Sequence, residues 1–345
     1  MTPLAENVLR ILESSADHPV SGENIARTLG CSRAAVWKAV NALRERGYDI
    51  SAKNRSGYTL VSSPDVLSAR SIMSRLQKAG LDMPVICFDT VDSTNSEAKR
   101  IAQTDARELC VIASEQSAGR GRLGRAFFSP SGTGLYMTLL LHPAESALYA
   151  MLLTPLAAAA VAGALEDVCG RPAGIKWVND IFMDGKKVCG ILCEASIGVE
   201  DRKLDTCIVG IGINLFEPEG GFPEEIKDTA GAVFSDGASR PDLRNELAAR
   251  IIVRFMDHYR DLPEKTYMDD YRRRSFVLGK DIMVLRAMPV SLTQAGMKPG
   301  PSLEKRPARA LDLDEMCRLL VEYPDGSREL LSSGEISIRP ADAAN

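Results

Sequence analysis

Ser114-Glu-Gln-Ser-Ala-Gly119-Arg-Gly121-Arg-Leu-Gly124-Arg-Ala-Phe-Phe-Ser-Pro130 carries the pattern Gly-x-Gly-x-x-Gly. Alone, that pattern is a dinucleotide-binding fingerprint. The fingerprint also needs a strand before it, a helix opening at its third glycine and an acidic residue about 20 positions on. Glu108–Ser114 is apolar and partly β-branched, which suits the strand. No helix fits, because Gly124 leads into Arg125-Ala-Phe-Phe-Ser-Pro130-Ser-Gly132-Thr-Gly134, a run punctuated by helix breakers. Three arginines, Arg120, Arg122 and Arg125, interleave with the glycines. Guanidinium forks pair with carboxylates and phosphates, and glycine lets a backbone close over a ligand. The stretch therefore reads as a cationic loop that wraps an anion, against the plainer reading of a solvated loop.

Composition limits what surrounds it. The 345 residues are 45% hydrophobic and 26% charged, enough for two or three globular domains. A net charge of -4 means that any nucleic-acid contact rests on a local patch. Eight cysteines (31, 87, 110, 169, 189, 193, 207, 317) lack a Cys-x-x-Cys pair, so they read as reduced thiols of a cytoplasmic protein, with Cys189 and Cys193 in the core. No secretory signal is expected at the N-terminus. Ser146–Leu165 is uncharged for 20 residues, long enough to span a bilayer. It is rich in alanine, holds Pro155 and Gly163 and lacks flanking basic residues, so it reads as a buried helix and no membrane is expected.

Residues 1–62 form a pattern of their own. Leu4, Val8, Ile11 and Leu12 have helical spacing; Ser21 caps a second helix, and Ser32 caps a third that Gly47 ends. A hairpin follows, Asp49–Ala52 and Tyr58–Val61 around Asn54-Arg55-Ser-Gly57. Helices, glycine turn and wing make a winged helix-turn-helix. This segment is net +2, and Ser32–Gly47 alone is net +3. Val36, Val40 and Leu43 should face the core. Ser32, Arg33, Ala34, Trp37 and Lys38 of the third helix, with Arg55 of the wing, are the candidates for DNA. A helical interaction domain without DNA is the plainer alternative.

Residues 63–275 read as α/β. Strands are expected at Val85–Asp89, Leu109–Ser114, Leu135–Leu141, Gly174–Trp177, Val188–Ala195 and Thr206–Leu215, with helices at Ser93–Gln103, Leu148–Val168 and Arg244–Tyr259. Asp184-Gly185 is a hairpin turn. Residues 276–345 form a short β-rich region that opens on a strand at Ser275–Leu285 and carries an insertion at residues 287–307. Glycines inside strands mark close approach, and Gly190, Gly210 and Gly212 fall on apparently neighbouring strands as the floor of a ligand trough. Lys187 leads into the Gly190 strand, where its charge can meet a carboxylate or phosphate. Asn179-Asp180 can assist a hydrated Mg²⁺, and Asp92-Ser93-Thr94-Asn95 puts hydrogen-bonding side chains at a helix start. For each of these a plain structural role (packing glycine, solvated lysine, N-cap) competes.

These motifs together resemble the biotin protein ligase family. The resemblance is carried by Gly119–Arg125, Asp92–Asn95, Lys176-Trp-Val-Asn-Asp180, Lys187-Val-Cys-Gly-Ile-Leu192, Gly210-Ile-Gly-Ile-Asn214 and Gly334-Glu-Ile-Ser-Ile-Arg339, in the family's order along nearly the whole chain. The winged helix, with Ser32-Arg-Ala-Ala-Val36, is similar to the bifunctional branch that is also a biotin operon repressor. The resemblance implies a three-domain fold: winged helix-turn-helix, a central mixed-sheet biotinyl/lipoyl ligase-type catalytic domain, and a C-terminal SH3-like β-barrel. It implies a two-step reaction. ATP and biotin give biotinyl-5'-AMP and pyrophosphate, and a lysine of the biotin carboxyl carrier protein then attacks the mixed anhydride.

Carried over by position, Ser93, Thr94, Asn95, Gln116, Arg120, Gly121, Arg122, Lys187 and Gly190 match biotin-binding positions, with Lys187, Arg120 and Arg122 nearest the chemistry. Arg122, Arg125, Phe127, Asn179, Asp180 and Asn214 match the ATP side, and Glu335 and Arg339 a C-terminal supporting pair. ATP, biotin and Mg²⁺ are the implied cofactors, and carrier protein, operator DNA and a second copy promoted by the adenylate the implied partners. Val178 stands where the family has proline, Leu123 where arginine is frequent and Phe127 where it has tryptophan. Two other readings compete: a ligand-sensing transcription factor without catalysis, and a lipoate or octanoyl transferase. Pyrophosphate release separates the first, and the arginine-glycine loop argues against the second.

Overall fold

A computed structural model of the chain describes residues 2–15, 18–45, 47–53, 56–62, 65–143, 149–197, 204–235, 240–287, 303–332 and 335–338. Two compact units emerge, Met1–Ser68 with Gly237–Glu246, and Ala69–Asp236 with Leu247–Asn345.

In the first unit, helices α1 (Pro3–Ser14), α2 (Gly22–Thr28) and α3 (Arg33–Arg44) precede an antiparallel ribbon, β1 (Asp49–Lys53) and β2 (Gly57–Ser62). Each helix starts where a hydroxyl accepts an orphan backbone N–H: Thr2 from Ala5, Ser21 from Asn24 and Ser32 from Ala35. The helical spacing then buries Val8, Leu12, Ile25, Val36, Val40 and Leu43 in one core. Each such side chain contributes about 1.5–3 kcal/mol on burial. The opposite face of α3 stays outside, with Arg33, Ala34 and Lys38 exposed and Trp37 55% exposed. The wing is fastened by reciprocal backbone bonds between Val20 and Tyr58. Gly57 is needed there, since its φ is +111° and a Cβ would lie 2.2 Å from the Val20 carbonyl oxygen. Arg55 lies outside the described residues.

The second unit is built on a seven-stranded mixed sheet of order β3-β4-β5-β9-β8-β7-β6. Helix α4 (Ala69–Lys78), which the sequence reading lacks, precedes β3 (Val85–Val91), α5 (Thr94–Ala102), β4 (Leu109–Gln116) and β5 (Gly134–Leu141). Next come α6 (Ala150–Cys169), β6 (Gly174–Lys176), β7 (Asp180–Met183), β8 (Lys186–Ile197) and β9 (Leu204–Asn214), and then α7 (Leu243–Tyr259) and α8 (Met268–Arg274). Only β3 and β4 run parallel; the other neighbours are antiparallel. Asp184 and Gly185, with φ of 49° and 76°, close the β7–β8 hairpin as the primed turn their sequence predicts. Helix α6 is long and apolar enough to cross a membrane, yet all of Leu152–Leu165 except Thr154 is buried within the fold. A helix apolar all round is a core helix when a fold surrounds it.

The C-terminal part adds a five-stranded antiparallel sheet of order β13-β12-β11-β10-β14, formed by β10 (Asp281–Ala287), β11 (Leu303–Leu313), β12 (Leu319–Glu322), β13 (Arg328–Leu331) and β14 (Glu335–Ile338). Two expectations shift. Ser275 bridges to Ile175 and Phe276–Lys280 is a turn segment, so the strand starts at Asp281, and residues 303–307 of the expected insertion are strand, with Leu303 to Pro307 laddered against β10. Proline is tolerated at Pro307 because the ladder to β12 begins only at Arg309, so at Pro307 β11 is paired on the β10 side alone.

Candidate active site

The site lies on β8 and β9, where the register sets Gly190 opposite Gly212 and Leu192 opposite Gly210. A Cβ on Gly210 would come within 2.0 Å of Asn95 Oδ1, and one on Gly212 within 2.5 Å of Phe127 Cε1. These glycines are thus explained by close approach, the reason for which strands carry them. They floor a cavity of about 440 Å³, the size of a small-molecule site. The expected positions from Ser93 to Asn214 converge on its lining: Ser93, Thr94, Asn95 and Gln116, loop residues Arg120, Gly121, Arg122, Arg125 and Phe127, then Asn179, Asp180, Lys187, Gly190 and Asn214. Five cationic side chains stand on that lining against the single carboxylate of Asp180. Such a lining suits an anionic ligand. Glu335 pairs through its backbone with Leu285, which also lines the cavity. Arg339 lies outside the described residues.

The loop that opened the sequence reading bears no helix after Gly124. A single 3-10 turn spans Arg122–Gly124, extended chain follows to Pro130, and a turn at Ser131–Thr133 leads into β5. Its base is closed by backbone bonds from Gly121 N–H to the Arg125 oxygen and from Phe127 N–H to the Gly119 oxygen. The Phe127 ring lies over Gly212 and Gly190 and meets Tyr136 edge-on at 6.4 Å. Arg122 donates to Asn179 Oδ1 at 2.8 Å. The Lys187 side chain passes over Gly190 and its ammonium pairs with Asp180 at 2.7 Å.

At the start of α5 the polar side chains are wired to one another. Ser93, almost fully buried, makes no capping bond, which sets aside the plain N-cap reading for its hydroxyl. Thr94 donates its backbone N–H (2.8 Å) and its hydroxyl (3.1 Å) to Gln116 Oε1, and Gln116 Nε2 donates to Ser129. The Thr138 hydroxyl lies 2.8 Å from both Thr94 Oγ1 and Asn95 Oδ1. Asn95 Nδ2 donates to the Leu192 carbonyl and to Glu194. Glu194 also pairs with Lys99 at 2.7 Å and Arg120 at 3.3 Å. Burial opposes ionisation of Glu194, but hydrogen bonds from Lys99 and Asn95 and the nearby cations hold its carboxyl below the usual range.

Thr138, Ser129, Lys99 and Glu194 were not singled out in the sequence. Thr138 left one signal: it is a polar residue in the otherwise apolar strand Gly134–Leu141 and is fully buried. Cys189 lines the cavity and Cys193 follows on the same strand, and burial raises both thiols, Cys193 to about 12. Cys189 is buried in the core as expected while Cys193 is half-buried, and all eight cysteines are free. Among the described residues no group of three His, Cys, Asp or Glu is placed to hold a metal ion. A Mg²⁺ at Asp180 would therefore rely on ligand oxygens and water, which this hard cation accepts.

Comparison with known proteins agrees with this geometry. Residues 85–214 match the Biotin/lipoate A/B protein ligase family, residues 5–59 an HTH domain and residues 303–339 the Biotin protein ligase C terminal domain. The bifunctional ligase/repressor BirA of Bacillus subtilis (strain 168) is 32% identical over 96% of this chain and 97% of its own. That of Escherichia coli (strain K12) is 33% identical over 56% of this chain and 59% of its own. Among solved structures, the biotin protein ligase from Aquifex aeolicus in complex with biotin and ATP superposes with a TM-score of 0.56 at 28% identity, covering 74% of this chain and 98% of that one. The chain belongs to the bifunctional ligase/repressor BirA family of biotin protein ligases.

Proposed function

We propose that this chain joins biotin to AMP and then to a lysine of the biotin carboxyl carrier protein, in the cytoplasm, and that its winged helix represses transcription in response to biotin. The observation that carries the ligase half is the glycine-floored cavity, on whose lining Arg122 rests on the neutral amide of Asn179 and Lys187 on the carboxylate of Asp180. A carboxylate attacking the α-phosphate of ATP brings two anions together. Fixed cations aimed at that junction stabilise the charge shared in the transition state more than either reactant.

Residue roles follow from position. Ser93, Thr94 and Gln116 offer donors and acceptors to the ureido ring of biotin, with Asn95 and Gly121 beside them. Arg120, Arg122 and Lys187 meet the carboxylate–phosphate junction, and Gly190 leaves space for the acyl chain. Phe127 stacks on adenine, Asn214 and Arg125 serve the nucleotide, and Asn179 with Asp180 closes that side. Glu335 and Arg339 support ATP binding and acceptor transfer. Asp180 would be the residue to hold a hydrated Mg²⁺, which would screen the ATP phosphates. Replacing Lys187 by alanine removes one preorganised cation and should lower the adenylation rate by about 10²–10³-fold. Single-turnover formation of biotinyl-AMP measures this, and a near-wild-type rate returns Lys187 to a solvated surface role.

For DNA, Ser32, Arg33, Ala34, Trp37 and Lys38 present the exposed face of α3 to a major groove, with Arg55 of the wing on the backbone. One such module makes few phosphate contacts, and non-specific binding is only about 10⁻⁴–10⁻⁶ M at physiological salt. Operator recognition therefore uses a dimer on two half-sites, and ordering of the arginine loop by biotinyl-AMP builds the dimer face. Sedimentation with and without the adenylate tests this; equal self-association in both contradicts it.

A further inference from the structure

Asn95 sits in the substrate cavity, yet its amide is fully engaged by the protein: Nδ2 donates to the Leu192 carbonyl at 3.3 Å and to Glu194 Oε2 at 3.0 Å, while Oδ1 faces the Thr138 hydroxyl at 2.8 Å. Its orientation is therefore set from behind. An asparagine amide turns end for end at little intrinsic cost, and its neighbours decide which end points where. A carbonyl and a carboxylate both accept only, so together they admit Nδ2 and exclude Oδ1. Oδ1 is thereby turned to Thr138, whose single proton also faces Thr94 Oγ1 at 2.8 Å. The charge on Glu194 thus fixes Asn95, and Asn95 fixes the hydrogen-bond environment of Thr94, which lines the cavity.

The same carboxylate also reaches the arginine loop. Arg120 Nη1 lies 3.3 Å from Glu194 Oε2 and Arg120 Nη2 3.3 Å from Oε1, a forked pairing, while Lys99 takes Oε1 at 2.7 Å. Glu194 stands on β8 two residues beyond Leu192 and does not line the cavity. We infer that Glu194 is a positioning residue that holds Arg120 of the loop and orients Asn95 at the start of α5, so that one charge registers both halves of the acyl-substrate end. This rests on the ligase reading for the identity of the substrate, not for the clamp itself.

Two measurements on the full chain separate these dependencies. The first needs no ligand. Trypsin cuts after arginine, and a side chain held in a forked pair is a poorer protease substrate. In Glu194→Gln the fork loses its charge, and cleavage after Arg120, followed by mass spectrometry, should quicken by about 10-fold, the scale of one lost charge-assisted bond. The second is biotin-dependent ATP–pyrophosphate exchange. Glu194→Gln offers Asn95 an amide that can donate as well as accept, so KM for biotin should rise by about 10-fold or more, further than KM for ATP, while the melting temperature stays near wild type. Glu194→Asp, which keeps the charge, should recover part of that loss, and Lys99→Met, which removes a donor to Glu194 alone, should change KM for biotin less. Unchanged cleavage after Arg120, or an unchanged KM for biotin, overturns the inference. Faster cleavage in a protein that shows no biotin-dependent exchange even as wild type would sink the ligase reading and leave the clamp standing.

Discussion

At Gly210 and Gly212 a single methyl group separates two outcomes. In Gly210→Ala the new carbon meets Asn95 Oδ1 at 2.0 Å, and Asn95 is buried and bonded on every side. In Gly212→Ala it meets the Phe127 ring at 2.5 Å, and Phe127 rides on the loop. Overpacking costs about 1–3 kcal/mol where neighbours cannot yield. Gly210→Ala should therefore lower denaturant stability on that scale and weaken biotin binding, whereas Gly212→Ala should leave stability intact and act on ATP. Equal stability losses in a urea titration would contradict this difference. The glycines were legible in the sequence because strands rarely carry them, and Lys187 because it leads into one of those strands. Their occupants were not. That Asn95 fills the space over Gly210, and that Thr138 and Glu194 hold it, depends on contacts 43 and 99 residues apart, which no local pattern encodes.

Among the elements, those with strong local signals were read well and those defined by packing were missed. Ser21 and Ser32 announced α2 and α3, and Asp184-Gly185 announced the β7–β8 turn, because each satisfies a local backbone requirement. Helix α4 buries only Ile72 and Leu76 of its ten residues, too thin an apolar stripe to stand out in the sequence. Strand β7 is four residues long, too short to show a period, and the sequence reading places no strand there. The caps make a prediction at this scale. Ser21→Ala removes the acceptor for the Asn24 N–H and should destabilise the winged helix by about 1 kcal/mol, while pyrophosphate exchange is unaffected. Circular dichroism melting beside an exchange assay checks both. Trp37→Ala, on the exposed face of α3, should instead weaken duplex binding with no loss of stability.

For the molecule as a whole, the second unit ties α6 to α8 through charge. Arg274, 8% exposed in its side chain, pairs with Glu166 at 2.5 Å and Asp270 at 2.8 Å. Burial opposes ionisation of both carboxyls, yet the hydrogen bonds and charge of Arg274 leave each below its ordinary value, 4.5 for Glu166 and 3.8 for Asp270. A carboxyl depressed by folding stabilises the native state above its unfolded pKa and loses that contribution as the pH falls through the folded one. The melting temperature of the protein should thus fall as the pH drops below about 4.5, and the fall should be shallower in Arg274→Met. A parallel acid profile for the variant would contradict this. The three-part architecture was legible early because helix spacing, strand glycines and the C-terminal β pattern each specify a different arrangement, while the start of the first C-terminal strand was not, since Phe276–Lys280 has strand-like composition but turns. The central claim is that the glycine-floored, cationic cavity activates biotin with ATP. ATP–pyrophosphate exchange by the purified full chain, with biotin, lipoate or neither, tests it most directly: exchange that depends on biotin alone is the predicted result, and no exchange with either acid would make the arginine loop the lid of a sensor and not of an enzyme.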